Sequence, residues 1–195
     1  MSAPVAMVIQ SLPLNPQWEA QQLPDALPHG QGVKALQEVL RRAGARPVDR
    51  QQWLQQRREG WLGKLTELCH TIEHNWLAPM VAEGQLQINP LKVALNEQLI
   101  GSYEAPGLLI EIGTSVVRLE PKGTMVIGAA GRVDLQGPGG LATLILNSPD
   151  FPQKPFPACQ FNWQFVARSP RIQLIPLNAD SFADALLQVA GLITD

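Results

Sequence analysis

The sequence predicts an α+β protein: an N-terminal extended arm and a helical hairpin with one long helix, then a mainly antiparallel β-sandwich or rolled sheet closed by a C-terminal helix. Three observations carry that expectation. Prolines 4, 13, 16, 24 and 28 crowd the first 32 residues, a density that forbids a long helix and favours an extended course with turns. Between Val33 and Gly84 apolar residues recur at helical spacing. From Tyr103 to Asn147 short alternating apolar runs are cut by glycine and proline, the pattern of four or five antiparallel strands. The divisions fall at 1–32, 33–84 and 85–195, and the 195 residues also suit one compact domain.

Each element follows from local chemistry. In the arm, Val5 to Leu12 reads as a lone strand, and Leu12, Leu14, Trp18, Leu23 and Leu27 offer apolar anchors for packing on the chain itself or on a neighbouring subunit. Val33, Leu36, Val39 and Leu40 define a first helix that stops at Ala43-Gly44. Asp49 is a good N-cap for a second, longer helix running to Gly84. Along it Leu54, Trp61, Leu65, Leu68, Cys69, Ile72 and Trp76 form one apolar stripe, which is expected to be core. Gly60 and Gly63 predict a weak point or kink in its middle.

After Gly84 the apolar period changes to that of strands. Leu86 to Ile88 and Leu91 to Leu95 read as short strands around an Asn89-Pro90 corner, and Leu99 to Tyr103 leads into the glycine-punctuated block. Val117 and Leu119 alternate with Arg118 and Glu120, and Val133 and Leu135 with Arg132 and Asp134, so one face is expected to be buried and the other wet. Outward cross-strand pairs among those charges follow. Phe161, Trp163 and Phe165 share a face of a further strand, Arg171 to Leu177 forms another, and a helix over Ser181 to Leu192, capped by Asp180, closes the chain. The lack of long βαβ units argues against a parallel nucleotide-binding sheet.

Composition bounds the function. Charged residues make up 16% of the chain and net charge is −2, so part of the surface is polar without being repulsive and suits association. Cys69 and Cys159 lie far apart and read as reduced thiols rather than a disulfide framework. The opening segment lacks a basic n-region, which argues against a signal peptide, and a cytoplasmic location is expected. No segment approaches the roughly 18 apolar residues of a membrane span, so no membrane partner is expected.

Two strings carry possible chemistry. His70-Thr71-Ile72-Glu73-His74 matches H-x-x-E-H, in which two histidines one turn apart bind zinc and the glutamate activates water. A third ligand must come from elsewhere, and Asp150 is one candidate. The alternative is a polar helix face with Glu67, His70, Glu73 and His74 paired in water. Between Val33 and Lys64, eight basic residues stand against three acidic, whereas the rest of the chain holds seven basic and fourteen acidic. Arg41, Arg42, Arg46, Arg50, Arg57 and Arg58 form this basic segment, which suits a nucleic acid or an acidic protein surface, and Gln51, Gln52, Gln55 and Gln56 have the chemistry to read base edges.

The run Gly123 to Gly131 lacks the Lys-Ser or Lys-Thr of a phosphate loop and no helix follows it, so Gly128-Ala-Ala-Gly131 and Gly137-Pro-Gly-Gly140 read as hairpin turns. No cofactor and no catalytic constellation are expected. The expected function is that of a non-enzymatic accessory protein, oligomeric or bound to a protein partner through its helical half or exposed sheet face. A nucleic-acid binder using 33–64 and a zinc hydrolase using His70, Glu73 and His74 are the alternatives.

Overall fold

The computed structural model describes residues 33, 34, 37, 50–167 and 172–193. The arm, most of the first helix and its turn, the Asp49 cap, and Arg41, Arg42 and Arg46 lie outside the described residues. The chain divides into two compact units, Met1–Pro47 and Val48–Asp195. In the first, Val33, Lys34 and Gln37 are helical and exposed. The second holds the long helix α1 (Arg50–Thr71), a π-helical turn (Ile72–Trp76), the short α2 (Ala78–Ala82), seven strands and a C-terminal helix α3 (Ala179–Val189). The strands are β1 (Gln87–Glu97), β2 (Gly101–Ile112), β3 (Ser115–Gly123), β4 (Gly131–Gly137), β5 (Gly140–Asn147), β6 (Asn162–Ala167) and β7 (Gln173–Pro176).

Among the described residues, seven strands join one antiparallel sheet in chain order, with β1 and β7 as its two edges. The sheet is open, with no second sheet among the described residues. One face is core: Leu108 and Ile110, Val117 and Leu119, Val133 and Leu135, Leu144 and Leu146, and Phe165 are buried at alternating positions, while Arg118, Lys122 and Gln136 on the other face are exposed. The expected alternation is present on β3, but on β4 Asp134 is buried as well, its carboxylate held by Arg132 and Thr143.

Both helices cover the core face. The stripe on α1 is buried at Trp61, Leu65, Leu68, Cys69 and Ile72, and Phe182, Leu186 and Val189 of α3 enter the same core. Trp61 lies so close to β4 that a Cβ on Gly131 would overlap its ring. Gly60 and Gly63 do not break the helix: α1 runs continuously through both. Gly60 instead seats the Phe156 ring, which any side chain there would displace. The helix loosens later, in the π turn, where Leu77 N–H reaches back to the Ile72 carbonyl (2.9 Å).

Two further expectations shift. Asn89-Pro90 is no corner: β1 runs straight through it, which an edge strand allows because the missing N–H need not join a ladder. The half-buried positions do change parity there, from Ile88 to Leu91, Val93 and Leu95, and on β2 from Leu108 and Ile110 to Ala105 and Tyr103. The β1–β2 ribbon thus turns its other face inward where it leaves β3, and Gly107 permits the crossing since a Cβ would strike the Leu119 carbonyl. Finally, α3 is capped by Asn178 rather than Asp180. The Asn178 side chain accepts from Ser181 N–H (2.9 Å), the Ser181 hydroxyl accepts from Asn178 N–H (2.9 Å), and Asp180 falls in the first turn.

Candidate functional site

Of the basic residues singled out above, Arg50 is exposed at the start of α1 and Arg58 is half-buried beside a 220 Å³ cavity shared with Gln51, Leu54 and Leu99. Arg57 does not share that open side: it is 5% exposed and turned into the fold. Its Nε donates to Thr124 Oγ1 (3.0 Å) and its Nη2 to the Thr124 carbonyl. The guanidinium lies 4.7 Å from the Phe151 ring centre and 5.3 Å from that of Trp53. Burial lowers its pKa from the usual value, an effect opposed by the charge of Glu97.

Glu97, at the end of β1, closes this buried network. Its Oε2 accepts from the backbone N–H groups of Thr124 (3.0 Å) and Met125 (2.6 Å), its Oε1 from the Tyr103 hydroxyl. The Tyr103 phenol is pushed up in pKa by burial and by its hydrogen bond to Glu97. Arg57, Glu97, Tyr103 and Thr124 thereby tie α1, the inverted ribbon and the β3–β4 loop together. Every carboxylate oxygen here is engaged within the chain, which marks the cluster as a clamp. The sequence concealed it because Arg57 and Thr124 are 67 residues apart.

His70 and His74 are exposed and their rings stack at 4.4 Å between centroids. Glu73 lies 3.8 Å from His74 Nδ1, and Asp150 pairs with Lys154 at 3.0 Å. Among the described residues, no group of three or more His, Cys, Asp or Glu side chains comes together as a metal site. Cys69 belongs to the core, and burial pushes its thiol up to about 12. The charges on the outer sheet face pair along strands: Arg132 grips Asp134 two residues on through two bonds (2.8 and 2.9 Å), and Glu120 meets Lys122 at 3.0 Å. The expected cross-strand pairs among Arg118, Glu120, Arg132 and Asp134 do not form because the register sets Glu120 opposite Asp134 and Arg118 opposite Gln136, so no cation directly faces an acid.

The open feature is β7. All four of its residues are exposed, and Ile172, Leu174 and Ile175 retain 76%, 42% and 42% of their surface. Its ladder to β6 fixes which backbone groups face outward. Leu177 N–H donates to the Trp163 carbonyl (3.0 Å), so in an antiparallel pair the bonded positions are 177, 175 and 173, and 176, 174 and 172 point away. Pro176 has no N–H to offer, and its carbonyl accepts from the Ser181 hydroxyl (3.0 Å). Ile172 and Leu174 are left with outward N–H and C=O groups on an apolar strand. Beside them a 450 Å³ cavity opens between Phe165, Ile175, Thr143 and the α3 residues Asp184 and Gln188.

Among the described residues no helix is long and apolar enough to cross a membrane. Compared with protein-family models, with curated proteins and with solved structures, the chain finds no match.

Proposed function

We propose that this is a non-enzymatic interaction protein that binds another protein chain along β7. The supporting observation is the pairing of an apolar, exposed edge strand with unmatched backbone donors and acceptors. Such an edge is a liability unless covered, and strand addition covers it with main-chain bonds while side-chain contacts set specificity. A cytoplasmic location belongs to the same proposal and is supported by two free cysteines. Native electrophoresis of the tagged chain in extract of its source cells tests the reading. The wild-type chain is expected in a complex that an Ile172→Lys, Leu174→Lys variant fails to enter. Finding both as monomers, or both in the same complex, overturns it.

Two other readings rest on narrower observations. The exposed Arg50 and half-buried Arg58 of α1 suit a nucleic acid, which predicts a mobility shift that falls steeply with salt. The stacked His70 and His74 suit a metal, which predicts one retained equivalent of zinc that a His70→Ala, His74→Ala variant loses.

A further inference from the structure

We propose that the chain occupying β7 is a second copy of this protein, paired strand to antiparallel strand about a two-fold axis through Gln173. The inference rests on the reading of β7 as a docking edge and adds the partner and the register. Donors on the edge match acceptors on its copy. Among the described residues the open edge offers two N–H and two C=O groups, from Ile172 and Leu174, because Pro176 lacks a donor and its carbonyl is taken by Ser181. Centring the pair on Gln173 sets Ile172 of one copy opposite Leu174 of the other. Each such pair exchanges both of its bonds, so every open donor meets an open acceptor and none is left over.

The side chains agree with that register. Leu174 shares a sheet face with Val166, its partner on β6, and Ile172 lies on the same face by the two-residue period. Pairing therefore sets two Ile–Leu contacts side by side, covering side chains that are now 76% and 42% exposed. Gln173 faces its own copy at a non-bonded position, where the side-chain amides can bond each other. A register shifted by one residue along the partner would set inward-bonded groups against outward ones and lose the match.

Sedimentation equilibrium of the purified chain tests the partner, and cysteine pairing tests the register. The expected mass is twice 21.3 kDa. Leu174→Pro is expected to give the monomer, because the N–H it deletes points away from β6. In a Cys159→Ser background, Gln173→Cys is expected to form an intermolecular disulfide under mild oxidation, since facing non-bonded positions lie about 4.5 Å apart between Cα atoms. Ile175→Cys is expected to crosslink at least about tenfold more slowly, because in this register it does not face its copy. A monomeric wild-type chain overturns the proposal, as does a dimer whose Gln173→Cys form resists oxidation. A purified monomer whose complex in extract still depends on Ile172 and Leu174 overturns self-pairing and leaves the docking edge standing.

Discussion

The two edges of the sheet are built differently. β1 carries Asn89, Pro90 and Lys92 exposed along its length, turns its second half inward, and ends in Glu97, which is bonded to Thr124, Met125 and Tyr103. Proline, charge and a buried anchor are the devices that keep a strand edge from pairing with another chain. β7 has four residues, two of them Leu174 and Ile175, and no charged side chain. Among the described residues its guards are its shortness and Pro176, at its last position. The fold thus protects one edge with proline, charge and an anchored end and leaves the other apolar and exposed, which is the difference the proposed docking on β7 rests on.

Replacing residues at either edge separates anchoring from adhesion. Glu97→Ala is expected to have the largest effect on stability, about 3 kcal/mol by urea denaturation, because it leaves two backbone donors and a buried hydroxyl without their acceptor. Alkaline pH acts on the same anchor. The Tyr103 pKa is raised in the fold, so its contribution is complete below the unfolded value of about 10 and is lost as pH rises through the folded one. Tyr103 is the single tyrosine of the chain, so tyrosinate absorbance follows it alone. Its midpoint is expected above that of the urea-unfolded chain, and equal midpoints would remove the anchor argument.

On the β7 side, Asn178→Ala is expected to cost about 1 kcal/mol through loss of the α3 cap, read as a lower urea midpoint at unchanged slope. Smaller still, Leu174→Lys and Lys92→Ala are each expected to change monomer stability by less than about 0.5 kcal/mol. They differ in association: only the change on β7 is expected to lower the sedimenting mass.

How much of this was legible in the sequence depended on the range of the interaction. The stripe from Trp61 to Ile72 and the alternation at Val117, Leu119, Val133 and Leu135 are local periods, and the structure follows them. Gly60 looked like a flaw because its neighbour, Phe156, is ninety-six residues away in the chain. Arg57 looked like a surface cation for the same reason, since charge counts do not reveal a threonine three strands on. β7 was visible as a strand, but its position at an edge was not, because strand order is set by which runs pair and the period of one run does not record it. Pro90 misled in the opposite direction: read as a corner, it marks an edge.

The chain-order meander also has a consequence for size. It places the unguarded edge and the guarded edge at opposite ends of one sheet. If β7 pairs with β7, both adhesive edges are consumed at once, and the composite sheet of fourteen strands ends on β1 at each side. Head-to-tail pairing of β7 on β1 would instead leave a fresh edge after every addition and grow without limit. Pro90, Lys92 and the inward turn of the ribbon disfavour that contact. Under the proposed pairing, growth would therefore stop at two copies.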